Sequence, residues 1–292
     1  MTRQPKGRLI NGILILDKPT GMSSNHALQR VKRMFGARKA GHTGSLDPLA
    51  TGLLPICLGE ATKFSQFLLD ADKRYQTTAQ LGVRTDSSDA DGKVVETKPC
   101  EHITVTDVEA QLPQFRGLIS QVPSMFSALK HQGQPLYKLA RAGKTVAVKP
   151  RQVTIHNLEL LSFKHSQVQM DISCTKGTYI RSIVEDLGLA LDCGAHVAQL
   201  RRLQAGPFVA EQMVTLEDLQ GIIDEATQGQ VVEAGQWPDI TPAFPRLDQL
   251  LIPADTAVLS LNAVQLPAHE IEALQQGKVI DHATEYAPFD VV

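Results

Sequence analysis

The chain has 292 residues, 42% hydrophobic and 21% charged, the balance of a soluble globular protein with a substantial core. No apolar run approaches the roughly 18 residues of a membrane span, and the first residues, MTRQPKGR, lack the apolar segment of a signal peptide, so a cytoplasmic location is expected. The net charge of −2 is unevenly divided: residues 1–210 carry 27 Lys and Arg against 17 Asp and Glu, whereas residues 211–292 carry 2 against 14. Residues 12–16 form a short apolar run that reads as a buried strand, and Lys18-Pro19-Thr20-Gly21 as a turn. Ser23 or Ser24 can cap a helix to about Phe35, with Ala27 and Val31 inward, Arg30, Lys32 and Arg33 outward, and Gly36 as its stop. A second helix is expected over residues 59–69. Residues 75–81 and 167–174 alternate polar with apolar, as strands of an antiparallel or mixed sheet do. Without a βαβ rhythm the class is α+β. Residues 229–245, with Pro238, Pro242 and Pro245, read as a linker, and a strand over 257–266 and a helix over 271–277 are expected beyond it.

The basic body is suited to neutralising phosphates, although taken alone such an excess is more often a solvated basic face. Cys57, Cys100, Cys174 and Cys193 are scattered, which fits reduced thiols and gives no support for a zinc site. Chemistry concentrates in the segment GHTGSLDPLATGLLP, residues 41–55. Its glycines permit positive φ, and Pro48 biases Asp47 towards an extended backbone while offering no N–H. No G-K-[ST] ending follows, which excludes a phosphate-cradling P-loop. Asp-Pro alone is usually just a turn. Lys176-Gly177-Thr178-Tyr179-Ile180-Arg181 ends the second alternating strand and opens a helix with the core stripe Ile180, Ile183, Val184 and Leu187. A cation in a first helical turn opposes the dipole, so Arg181 needs a carboxylate or phosphate partner; a surface pair with Glu185 is the competing reading. Lys73-Arg74-Tyr75 sets an aromatic beside two cations, a usual RNA contact pattern, though a single Tyr is more often core.

The segment GSLDPLATGLLP, residues 44–55, resembles the signature of the bacterial TruB family of tRNA pseudouridine-55 synthases. Supporting segments are GILILDKPTGMSSN (12–25), LGEATKF (58–64), RTDSSDADG (84–92), PSMFSALK (123–130), KGTYIR (176–181) and CGAHVAQLRR (193–202), in the family's order. The resemblance implies a mainly antiparallel sheet flanked by helices in a catalytic domain of residues 1–245, and a short PUA-like region over 246–292. It implies that Asp47 is the essential aspartate, that Tyr75 stacks on the target uracil and that Arg181 pairs with Asp47. It further implies that His42 wedges into the T loop as bases flip, and that Tyr179 and Leu200 wall the pocket. The implied partner is the T arm of tRNA, bound by a monomer that needs no protein partner and no cofactor. Residues 246–292 depart from the family, being short for a full module.

Pseudouridylation breaks the C1′–N1 bond, turns the uracil and rejoins it through C5, exchanging no electrons. Burial beside a nucleobase alone would raise the pKa of Asp47, and a two-point Arg181 partner would offset that. Extruding the nucleotide costs about a few kcal/mol, of which stacking on Tyr75 would return roughly 1–3. Tyr75 is also a candidate base for the C5 proton. Two other readings stay open: the basic body also fits a tRNA-binding or folding protein without catalysis, and the short C-terminal region also fits a guide-RNA-dependent synthase.

Overall fold

A computed structural model describes residues 7–127, 129–144, 146–230, 239–262 and 264–280. It divides into two units, Met1–Val258 and Leu259–Val292. The first is built on a nine-stranded sheet: β1 (Gly12–Lys18), β2 (Ala40–His42), β3 (Thr51–Leu58), β4 (Lys73–Leu81), β5 (Gly117–Gln121), β6 (Arg151–Lys164), β7 (Gln167–Cys174), β8 (Ala195–Ala205) and β9 (Phe208–Val209). The spatial order is β1-β3-β8-β4-β7-β6-β5, with β2 on β3 and β9 on β8. Every pairing is antiparallel except β3 with β8, which meet only at Thr51–Arg201 and Gly52–Arg202. The α+β class, with a mainly antiparallel sheet flanked by helices, is as the sequence indicates.

The apolar run of β1 is continuous because both its faces are covered. Leu14 and Leu16 join a core with helices Ser24–Met34 and Leu216–Ala226, while Ile13 and Ile15 pack with Leu53, Cys57 and Phe208. The alternating strands β4 and β7 instead bury one face. Ala79, Leu81, Val168, Met170 and Ile172 pack against Ile183, Val184 and Leu187 of helix Ile180–Ala190, the stripe read from the sequence. Helix Ser24–Met34 begins at the Ser23 cap, whose side chain accepts from the His26 N–H.

Three expectations are corrected. The helix expected over 59–69 is a 3-10 turn, Gly59–Phe64, followed by helix Ser65–Asp70. The Glu60 N–H is drawn off to the Asn11 side chain, and the Thr62 and Ser65 hydroxyls tighten the turn by donating to the carbonyls three residues back. Within the expected linker, residues 231–238 lie outside the described residues, but Thr241–Ala243 and Phe244–Asp248 are helical, and Ala243 and Leu247 are fully buried. Their prolines stand in first turns, where a missing N–H costs nothing. Beyond it, Ala254–Val258 is a 3-10 turn rather than the start of a strand, and helix Ala268–Gln275 begins earlier than expected. Among the described residues no helix is long and apolar enough to cross a membrane.

Candidate active site

The loop between β2 and β3 is fixed from several sides before Asp47 is considered. Ser24, first residue of its helix, accepts the Leu46 N–H at 2.8 Å and donates to the Leu46 carbonyl at 3.0 Å. The Gly21 N–H donates to the Pro48 carbonyl at 2.8 Å, and the Ala50 N–H to the Asp47 carbonyl at 3.1 Å. Lys18, fully buried, donates to the carbonyls of Pro19 (2.8 Å), Met22 (2.7 Å) and, at 3.4 Å, Pro48. Arg202, at the far end of β8 and 1% exposed, donates from Nε to the Leu53 carbonyl (2.7 Å) and from Nη2 to the Gly44 carbonyl (2.9 Å). Gly52 must be glycine: its φ is +95°, and a Cβ there would lie 2.3 Å from the Arg202 carbonyl.

So held, Asp47 faces a cavity of about 320 Å³ whose walls include Tyr75, Tyr179, Arg181, Leu200 and Arg202. The Asp47 side chain is 43% exposed, and its Oδ2 lies 3.0 Å from Arg181 Nη2. Arg181 itself is 5% exposed; its Nη1 is 3.4 Å from Asp89 Oδ2, and its two ends donate to the carbonyls of Ser87 (2.9 Å) and Phe126 (3.0 Å). The expected two-point pairing with Asp47 is therefore divided between two carboxylates. Glu185, the competing partner, is taken by Arg84 (3.3 Å) and the Ser88 hydroxyl (2.6 Å). A guanidinium has five donors in one plane, so it spans this set where an ammonium would not.

Burial raises the Asp47 carboxyl above its ordinary value; Arg181 opposes the shift, and the Asp89 carboxylate adds to it. Although the carboxylate tip is open to the cavity, its surroundings are dense enough for desolvation to win. Burial also raises the Tyr75 phenol, which is therefore neutral at physiological pH and a weak proton acceptor. Lys18 and Lys73 are both lowered by burial to about 8.

Asp47, Tyr75, Tyr179, Arg181 and Leu200 thus meet at one cavity. His42 does not line it: it ends β2, half-buried, its Nδ1 without a partner, and burial followed by the Arg202 charge lowers its pKa. Sequence reading missed Asp89, Arg202, Lys18 and Ser127, whose buried hydroxyl lines the cavity without a hydrogen-bond partner, and read Lys73 as an RNA contact where the fold buries it. Each stands in, or next to, a segment quoted above, but only the fold shows what it touches. A larger cavity of about 580 Å³, lined by Gln76, Thr78, Gln169, Gln199 and Arg201 among others, shares Leu200 but holds no member of the Asp47–Arg181–Asp89 cluster. Among the described residues no group of His, Cys, Asp and Glu is placed to hold a metal.

This fold recurs in solved proteins. A chain of the Cbf5-Nop10-Gar1 complex matches 91% of the present chain and 67% of its own, with a TM-score of 0.68 and 28% identity. A chain of an H/ACA RNP bound to a substrate RNA containing 2′-deoxyuridine matches 88% and 67%, at TM-score 0.60 and 26% identity. The model of the TruB family pseudouridylate synthase N-terminal domain covers residues 32–180, and that of the tRNA pseudouridylate synthase B C-terminal domain covers residues 181–259. Fold and family model together define a pseudouridylate synthase, an isomerase. Within that class the chain belongs to the TruB family. A Vibrio cholerae serotype O1 protein named tRNA pseudouridine synthase B is 52% identical over 280 residues, 96% of this chain and 86% of its own. One of the same name from Shewanella denitrificans is 54% identical over 280 residues, 96% and 85%.

Proposed function

We propose that this chain converts uridine to pseudouridine at position 55 in the T loop of tRNA. The observation that carries the reading is Asp47, a carboxylate open to a cavity, ion-paired to buried Arg181 and sharing that cavity with Tyr75. In the reaction the C1′–N1 bond breaks, the C1′–C5 bond forms, the C5 proton leaves and N1 gains a proton. Atoms and electrons balance within the substrate, so the reading calls for no cofactor. The target atoms are hidden in a stacked loop, so the nucleotide is flipped into the cavity. There Tyr75 offers a stacking face, with Tyr179 and Leu200 as walls, and Asp47 is the attacking or proton-accepting carboxylate. His42, outside the cavity, is left to fill the space that the base vacates. With its phenol neutral, Tyr75 serves the C5 proton by positioning an acceptor rather than as a phenolate.

The basic surface of helix Ser24–Met34 and the residues after it, with Arg30, Lys32, Arg33, Arg38 and Lys39, is the proposed phosphate track. The reading has the protein acting alone, as a monomer in the cytoplasm. Incubation of the purified chain with an unmodified tRNA transcript, followed by mapping, is expected to give pseudouridine at position 55 and nowhere else. Tight binding without product would turn the reading to an RNA-folding protein; product only with a guide RNA and partner proteins would turn it to the guided type.

A further inference from the structure

Three buried cations line the cavity, Lys73, Arg181 and Arg202; Arg181 pairs with Asp47 itself, and of the other two Arg202 is the one that holds the Asp47 loop. Its Nε and Nη2 hold the carbonyls of Leu53 and Gly44, at 2.7 and 2.9 Å, and Gly44 is three residues from Asp47. On the neighbouring strand it stands in register with Tyr75, and the two residues line the same cavity. Among the described residues no carboxylate lies within ion-pair distance of it. A buried guanidinium held only by carbonyls is poorly compensated for lost hydration. If filling the core were its only task, an apolar side chain of similar length would suit the site better.

We propose that Arg202 is a positioning residue for the isomerisation: through the Gly44 carbonyl it ties the Asp47 loop to the strand position opposite Tyr75, and so sets the gap into which the uracil fits. Being 1% exposed, it acts through the loop and the strand rather than on the substrate. The geometry of the fork matters here. Its donors diverge within one rigid plane, so the Leu53 and Gly44 carbonyls are held together and the loop is coupled to the strand. An ammonium at the end of a lysine stem cannot reach both carbonyls at once.

This inference rests on the proposed function, and wild-type turnover of unmodified tRNA in the same assay is its control; failure of that control counts against the function, not against Arg202. The experiment is a double-mutant cycle of Arg202→Lys with Tyr75→Phe, read as single-turnover rate at saturating tRNA, tRNA Kd and melting temperature. Arg202→Lys is expected to slow the chemical step about fiftyfold with Kd within threefold. In the Tyr75→Phe background, where the facing side of the gap is already altered, the same substitution is expected to cost less than tenfold more. Equal losses in both backgrounds, or a rate within threefold of wild type, would overturn the proposal. Should Arg202→Lys not fold, Gly44→Ala decides instead. It keeps the guanidinium but introduces a Cβ 3.3 Å from its Nη1 at a φ of +75°. A tenfold slower step at unchanged Kd supports the coupling, and an unchanged rate overturns it.

Discussion

Two kinds of buried cation line the Asp47 cavity or brace its loop. Arg181 is held by opposite charge, bridging Asp47 at 3.0 Å and Asp89 at 3.4 Å. Lys18, Lys73 and Arg202 are held by backbone carbonyls: Lys18 by Pro19 and Met22, Lys73 by Leu68, Leu69 and Ala71, Arg202 by Leu53 and Gly44. The first arrangement tunes the ionisation of a group that faces the cavity. The second fixes loops to the sheet without neutralising any carboxylate, and leaves the two lysines with depressed pKa values. Charge paired with charge therefore serves chemistry here, and charge paired with carbonyls serves shape.

The sharpest way to break this contrast is to remove the carboxylate. Asp47→Asn is expected to lower the single-turnover rate by at least about 10⁴-fold, roughly 5.5 kcal/mol of barrier. Its tRNA affinity should stay within a few-fold, because the proposed phosphate track lies on the basic surface rather than at Asp47. Product formed at a readily measured rate would remove Asp47 from its proposed role.

Arg181→Lys comes next. One ammonium cannot span Asp47, Asp89 and the carbonyls of Ser87 and Phe126, so a loss of about 100-fold, near 2.7 kcal/mol, is expected. The pH profile adds a signature. Burial raises the Asp47 pKa, so wild-type activity should fall, as pH drops, above the value of about 3.9 for a free aspartate. Arg181 lowers that pKa, so weakening the pair should move the acidic limb further up. A limb that stays in place in the variant would show that another group titrates.

The Asp-Pro loop, the alternating strands and the helix stripe were legible because each depends on neighbours in sequence, through backbone bias or a period of two or 3.6 residues. With the family resemblance added, five residues that share the cavity were legible as well. Asp89, Arg202 and Lys18 were not singled out, since an Asp in a serine-rich loop or an Arg ending a strand looks solvated until the fold buries it. The Arg181 fork shows the limit from the other side. The need for a carboxylate partner followed from its place in a first helical turn, but the second carboxylate, 92 residues away in sequence, did not. The linker reading of residues 239–245 failed because a proline in a first helical turn and a proline that ends a helix look alike without the surrounding packing.

The carbonyl-held cations give a smaller, pH-dependent effect. For Lys73, 7% exposed, the folded pKa is about 8 against an ordinary value of 10.5, so the unfolded chain takes up its proton first as pH falls. The resulting penalty is full below pH 8 and is relieved as pH rises from 8 towards 10.5. Urea titrations of wild type at pH 7.5 and pH 10 should show a contribution from this group that grows with pH by on the order of 1–3 kcal/mol. That contribution should be missing from Lys73→Met. The same pH slope in both proteins would mean that the amine is solvated after all.

On helix Ser24–Met34, Arg30, Lys32 and Arg33 are held by neither device among the described residues, and salt should reach them freely. Neutralising Arg30, Lys32 and Arg33 together is expected to weaken tRNA binding and to reduce the slope of log K against log salt by up to about 2–3, near 0.7–0.9 for each phosphate no longer neutralised. The chemical rate at saturating tRNA should not move. If the slope is unchanged, the phosphate track lies elsewhere on the body.

The smallest effect is expected from the far end of the chain. Residues up to Val258 belong with the sheet: Ile252 exchanges backbone hydrogen bonds with Ile13 at 2.8 and 2.9 Å, and Ala257 packs in the core beside Phe208. A deletion beginning at residue 250 would therefore strip an edge from β1 and confuse folding with function. Deleting residues 259–292 leaves that edge intact and removes a unit whose described helix, Ala268–Gln275, buries no residue. Residues 211–292 carry 14 acidic against 2 basic side chains, so this part of the chain is poorly suited to following a phosphate backbone. Among the described residues none that lines the cavity lies beyond Arg202. The truncated protein should keep the single-turnover rate of wild type within about twofold, under 0.5 kcal/mol of barrier, with any change confined to tRNA affinity. A hundredfold slower step in a protein that still melts cooperatively would mean that the last 34 residues help to shape the Asp47 cavity.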